Sequence, residues 1–141
     1  MEIFRSFQIS GSALMAEKLR VDTVASNLAN IQTTRTAAGG PYRRKTVVFS
    51  ERLSRVREIP PAYRGRGVKA AFVLEDPNPP RQEYDPEHPD ANEDGFVAYP
   101  NIEMAKEMTD LVTASRSYEA SSTAINTAKS LYLKALEIGR G

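Results

Sequence analysis

The 141-residue chain has no cysteine, no tryptophan and a single histidine. Without cysteine there are no disulfides, thiol nucleophiles or thiolate metal sites, and one imidazole cannot build multi-histidine zinc ligation. The compartment is left open too, because a cysteine-free chain suits reducing and oxidising surroundings alike. A glycine-rich phosphate loop and a G-x-S-x-G nucleophile elbow are both missing, so no enzyme chemistry is expected. Long apolar runs are also lacking. Nothing reaches the roughly 7–15 residues of a signal-peptide core or the ~20 of a membrane span. The start, Met1-Glu2-Ile3-Phe4-Arg5, carries an acid at its second position. Any export is therefore expected to proceed without a conventional cleaved signal.

What is present is unevenly placed. All nine prolines, from Pro41 to Pro100, fall in the middle of the chain. Proline costs about 3 kcal/mol inside a helix, so only the flanking arms, 1–40 and 101–141, can be long helices. The formal charge of +1 hides a similar division. Residues 41–74 hold nine Lys/Arg against two Asp/Glu, and residues 75–100 hold one against eight. The middle is thus a +7 half followed by a −7 half.

In the first arm, Phe4, Phe7, Gly11, Leu14, Lys18, Val21, Ala25 and Leu28 recur in steps of three and four, a heptad seam interrupted at Gly11 and Lys18. Ser6 or Ser10 can cap an early turn. Asn27 and Asn30 mark where the pattern stops, since asparagine tolerates the left-handed conformation that ends helices. This stripe fits either a core-facing helix of a bundle or an intermolecular coiled-coil segment.

In the last arm one lane at heptad spacing, Met104, Leu111, Tyr118, Ile125 and Tyr132, is uniformly bulky. A second, Met108, Ser115, Ser122, Lys129 and Leu136, is polar in its middle, and a third, Glu107, Ala114, Ser121, Ala128 and Ala135, is mostly small. A bulky ridge between two shallow grooves lets helices approach closely on both sides. Ile102 to Ile138, with Gly139 and Gly141 as a stop, predicts a helix of about 55 Å, whereas a compact domain of this size is only about 30 Å across. The overhang requires partners in another chain. Rich in Ser, Thr and Asn, such arms are marginal alone and are expected to order on assembly.

The middle predicts short strands over Tyr42–Ser50 and Gly67–Leu74, able to pair as an antiparallel hairpin with a long connection. Pro77-Asn78-Pro79-Pro80 reads as extended, and Tyr84 to Asn101 as an irregular loop. With too little apolar sequence for its own core, the middle reads as an appendage. The fold class expected is mainly α with a small β appendage: terminal helices paired as an antiparallel coiled-coil stem, with a short hairpin and an extended Pro-rich loop between them. The divisions are 1–40, 41–100 and 101–141, the first and last forming one stem.

Two local patterns suggest other chemistry. Asp90-Ala91-Asn92-Glu93-Asp94-Gly95 fits the first half of a calcium loop, but Asn101 stands where the bidentate Glu belongs and prolines precede it. Arg43-Arg44-Lys45 beside Tyr42 suits phosphate contacts, though three charges in a near-neutral chain supply little of the attraction nucleic acid requires. His88 among Asp85, Glu87 and Asp90 reads as a surface residue. Together these patterns define the alternative, a small calcium- or nucleic-acid-binding regulatory module.

Residues 4–49, with Ser26-Asn27-Leu28-Ala29-Asn30 at their centre, resemble the amino-terminal region of flagellar basal-body rod proteins of the proximal-rod type. Residues 75–102, with Tyr84-Asp85-Pro86, His88-Pro89 and Pro100-Asn101, and residues 115–139 are similar to the middle and carboxy-terminal segments of the same family. The resemblance implies a non-enzymatic subunit of a hollow drive shaft that crosses the periplasm and transmits torque for motility. Implied partners are copies of itself, other rod proteins, the inner-membrane ring with its adaptor, and the flagellar type III export apparatus. No cofactor, metal, nucleic acid or membrane insertion is implied. Phe4, Phe7, Leu14, Val21 and Leu28 are then the expected assembly residues of the first arm, and Met104, Leu111, Tyr118, Ile125, Tyr132 and Leu136 those of the last. Ile31-Gln32 and Gly11 depart from the family's usual residues, and Gly11 weakens the first helix by about 1 kcal/mol relative to Ala.

Overall fold

The computed structural model describes residues 2–53 and 65–140. Two of the nine prolines, Pro60 and Pro61, and also Met1 and Gly141, lie outside the described residues. Six elements follow one another: α1 (Glu2–Ala29), β1 (Lys45–Leu53), β2 (Gly65–Glu75), β3 (Arg81–Tyr84), β4 (Phe96–Tyr99) and α2 (Met104–Arg140). Both helices occupy the proline-free arms, and α2, at 37 residues, begins and ends two residues later than the expected Ile102 to Ile138. It runs through Gly139 without stopping there. α1 is likewise continuous through Gly11, because the intrinsic cost of one glycine is spread over 28 helical residues packed against other elements.

The end of α1 departs from expectation in mechanism. No described non-glycine residue has a positive φ, so neither Asn27 nor Asn30 adopts the left-handed conformation. Asn30 instead caps the helix with its side chain: Nδ2 donates to the Ser26 carbonyl at 2.9 Å, and Oδ1 accepts from the Thr33 hydroxyl at 3.1 Å. The Ser26 carbonyl, which also accepts from the Asn30 amide at 3.1 Å, thereby gains a second donor without backbone strain.

The helices lie side by side and antiparallel. Phe4, near the start of α1, meets Tyr132 edge to face with ring centroids 6.3 Å apart. At the other end Asn27 is bonded to Glu107. Because α1 begins so close to Phe4, the last turns of α2 pass beyond it.

β1 and β2 form the expected antiparallel ribbon, with Lys45 opposite Glu75 and Leu53 opposite Gly65. It lies along α1 and packs against it. From its base, where Lys45 meets Asn27, it runs back along the helix until Arg5 donates to the Gly65 carbonyl at 3.2 Å. Bulges in β2 bend it to this course. At Gly67, with φ at 114°, a Cβ would lie 2.0 Å from Ser12 Oγ, and Ser12 Oγ accepts from the Val68 amide at 3.0 Å. Only glycine allows the strand so close to the helix at that angle.

Tyr84–Asn101 is not wholly irregular. Phe96–Tyr99 pairs antiparallel with Arg81–Tyr84 as a second two-stranded sheet. The pairing works because the intervening loop closes itself: Asn92 Oδ1 accepts from the amides of Asp94 and Phe96, at 3.0 and 2.8 Å, and Gly95 takes φ of 80°. Val97, fully buried, anchors the short strand. A four-residue apolar run inside a loop carries too little periodicity to be recognised as a strand.

A buried junction and an exposed apolar stem

Burial inside the single chain is sparse. Among the described residues the buried apolar side chains are Ala16, Val24, Val97, Pro100, Ile102 and Ala114. They are joined by Ser12, Thr23, Asn27 and Glu107, and Asn27 and Glu107 are fully buried. Small and polar residues therefore hold the stem together, while the large ones remain accessible.

On α2 the lane turned toward α1 is the one containing Glu107 and Ala114, both without exposed surface. The bulky ridge stands to its side. Met104 and Tyr118 are exposed, Leu111 and Ile125 are half-buried, and Tyr132 is exposed apart from its contact with Phe4. Leu136 is exposed. On α1, Phe7, Leu14, Val21 and Leu28 are half-buried, and Phe4 is 64% exposed. The most buried stripe of that helix lies one or two positions round from them, through Ser12, Ala16, Thr23, Val24 and Asn27.

The inward lanes end in a junction of three elements. Asn27 uses its whole amide there. Nδ2 donates to the Lys45 carbonyl at 2.8 Å and to Glu107 Oε2 at 2.9 Å, while Oδ1 accepts from the Lys45 amide at 2.9 Å and the Tyr42 hydroxyl at 3.0 Å. Toward Lys45 the side chain behaves like one more peptide group of a ladder. Since Tyr42 gives its only proton to Asn27, Ser26 Oγ, 3.3 Å away, donates to Tyr42. The other oxygen of Glu107 receives Arg44 Nε at 2.5 Å, and Arg44 reaches on to Asp110 and, at 2.7 Å, to Thr46. A buried carboxylate is tolerated only when its lone pairs are satisfied in this way. As an acid in the first turn of α2, Glu107 also complements the helix dipole.

These contacts account for the residues that suggested other chemistry. Arg44 is committed to Glu107, and Lys45 lies over the Tyr42 ring at 5.7 Å. Asp90 accepts from the Thr34 hydroxyl at 2.8 Å and pairs with Arg35 at 2.9 Å, fastening the acidic loop to the segment after α1. His88 Nδ1 accepts from the Asp90 amide at 3.0 Å, and its ring meets Tyr99 edge to face. No group of three or more acidic or histidine side chains converges on a metal position among the described residues. Of the other motif residues, Tyr84 packs edge to face on Phe96, the Asp85 amide bonds the Gly95 carbonyl at 3.0 Å, Pro100 is buried, and Pro86, Pro89 and Asn101 are exposed.

Comparison with known proteins decides what such a chain is. Residues 7–35 match the family model for the flagella basal body rod protein, and residues 93–138 match that for the flagellar basal body rod FlgEFG protein C-terminal region. The flagellar basal-body rod protein FlgC of Bacillus subtilis is 43% identical, over 99% of this chain and 100% of its own length. FlgC of Borreliella burgdorferi is 39% identical over 100% of both chains, and that of Escherichia coli O6:H1 is 41% identical over 99% of this chain. The chain belongs to the FlgC family.

It is a structural subunit of the flagellar basal-body rod, not an enzyme. The calcium- or nucleic-acid-binding module receives no support from these relatives. Asn27 and Glu107 fall one in each matched segment, so the junction ties the two halves of the family pattern together. The sequence pattern marked Asn27 as a helix end, Arg44 as a phosphate contact and Glu107 as one member of a small-residue lane, and gave no sign that the three meet. For Glu107 the available signal was an acid at the head of a lane that is otherwise alanine and serine.

Proposed function

We propose that this subunit builds the proximal rod, a hollow shaft crossing the periplasm, by burying its terminal helices against neighbouring subunits. The observation that carries this reading is the reversal of ordinary burial. Many large apolar side chains along the stem are exposed, Phe4, Met15, Met108, Tyr118 and Leu136 among them, others are only half-buried, and the enclosed positions between the helices are mostly small or polar. Soluble monomers rarely leave apolar surface on this scale without a partner. Phe4, Phe7, Leu14, Val21 and Leu28 supply one side of the assembly seam, and Met104, Leu111, Tyr118, Ile125, Tyr132 and Leu136 the other. In the shaft the helices pair as a coiled coil, and torque passes through many shared helix contacts. Partners are other rod proteins, the inner-membrane ring with its adaptor, and the type III export apparatus, which delivers the chain with its amino terminus retained.

Ile125→Asp tests the seam. The position is half-buried, so the monomer tolerates the change, whereas a charge placed between subunits blocks docking. Expression is expected to persist while incorporation into rods and swimming are lost. Normal swimming in that variant contradicts the seam.

A further inference from the structure

The methionines of this chain run against that residue's usual place. Methionine ordinarily fills irregular gaps in a core. Met15, Met104 and Met108, three of the four in the sequence, are instead 78%, 54% and 55% exposed. Met104 and Met108 stand four residues apart at the start of α2, so they share one face of that helix. Val112, also exposed, continues the strip by a further turn. The strip lies beside the junction without taking part in it, since Glu107, next to Met108 in sequence, points inward to Asn27 and Arg44. Met15 is single, on a face of α1 that carries the Lys18 and Asp22 ion pair.

With neither cysteine nor tryptophan in the chain, the thioethers are the side chains most open to a peroxide. A sulfur lone pair attacks one peroxide oxygen, the O–O bond breaks and an S–O bond forms. The proton on the transferred oxygen passes to the leaving oxygen, which departs as water or an alcohol. The sulfur is thereby oxidised by two electrons and the peroxide is reduced by two. A polar sulfoxide then stands where a flexible apolar side chain was, and enzymatic reduction restores the thioether. Two sulfoxides one turn apart make the strip strongly polar. They stay hydrated while this face is open to water and lose that hydration when a partner covers it.

We propose that Met104 and Met108 form a paired oxidation site through which a peroxide controls docking of the free subunit. Oxidised, the strip no longer seats against a neighbouring rod protein. Once seated, its sulfurs are shielded from the oxidant. The fold itself is unaffected, because both side chains face solvent and the contacts of Asn27, Arg44 and Glu107 lie on the inward side of α2. This inference rests on the rod reading and adds to it a reversible chemical control on one docking face.

Peptide mass spectrometry after a pulse of hydrogen peroxide to motile cells tests it, with the full-length chain recovered from the unassembled pool and from isolated basal bodies. In the unassembled pool Met15, Met104 and Met108 are all expected to carry sulfoxide. In basal bodies the sulfoxide fraction at Met104 and Met108 is expected to be about fivefold lower or less. Met104→Gln/Met108→Gln, which places polar side chains of similar length at both positions, separates lost docking from mere shielding. As a purified chain it should melt like wild type, and its incorporation into basal bodies should fall about fivefold or more. Incorporation of Met104→Leu/Met108→Leu should be the same with and without peroxide, while that of wild type falls. Equal sulfoxide fractions in the two pools, a glutamine variant that melts lower or is incorporated like wild type, or a leucine variant as sensitive to peroxide as wild type overturns the site. A wild-type chain missing from basal bodies contradicts the rod reading itself; a chain present there with both methionines oxidised as in the free pool contradicts only the site.

Discussion

Asn27→Asp is the sharpest perturbation of the junction. The change is isosteric and keeps Oδ1, which accepts from the Lys45 amide and the Tyr42 hydroxyl. The amide nitrogen becomes an oxygen 2.8 Å from the Lys45 carbonyl and 2.9 Å from Glu107 Oε2. Two donated hydrogen bonds become two lone-pair contacts in a site without solvent. At 2.9 Å and an effective dielectric of 20, two like charges repel by about 6 kcal/mol. Arg44, on the far oxygen of Glu107, takes back part of this. A net loss of about 3 kcal/mol or more is expected, a large share of the ~5–15 kcal/mol that stabilises a typical domain. Urea unfolding followed by circular dichroism measures it. Glu107→Gln in the same chain should recover part of the loss, since its new amide can donate to the new carboxylate, reversing the original bond. A single variant within about 1 kcal/mol of wild type, or strictly additive double-variant energies, refutes the junction as described.

Three further outcomes follow from the packing. Gly67→Ala places a Cβ 2.0 Å from Ser12 Oγ at a positive φ, so it should lower the melting temperature and loosen the ribbon from α1; about 1–3 kcal/mol is backbone strain, which Ser12→Ala cannot relieve. Gly11→Ala meets no atom within 4 Å and should stabilise the chain by about 0.5–1 kcal/mol in a thermal melt, whereas a loss would mean that the helix bends there. Circular dichroism of the dilute monomer should show less helix than 28- and 37-residue arms require, with helicity rising on self-association; full helicity in a monomer contradicts coupled ordering.

The helices were legible because proline and heptad spacing act locally. Confining every proline to 41–100 left the two arms that hold α1 and α2 as the places where long helices could form. The ribbon was legible from Val47-Val48-Phe49 and Phe72-Val73-Leu74, of which Val47 faces Val73 and Val48 faces Phe72 before a bulge sets Phe49 opposite Ala70. Its course along α1 was not, because that depends on one glycine meeting one serine 55 residues away, a relation with no local pattern. The inward lane of α2 was visible as a row of small residues, yet bulk drew attention to the neighbouring ridge. The junction escaped for the same reason as the ribbon's course. Asn27, Arg44 and Glu107 come from three separated segments, and only the folded chain brings them together.

The central claim is that exposed apolar residues of the stem are buried by neighbours in the rod. Because the chain has no cysteine, single replacements report on one position each. Tyr118→Cys and Leu136→Cys, both at exposed sites, should react readily with a maleimide in the purified chain and become protected in intact basal bodies. Equal reactivity in the monomer and in assembled rods would contradict the account.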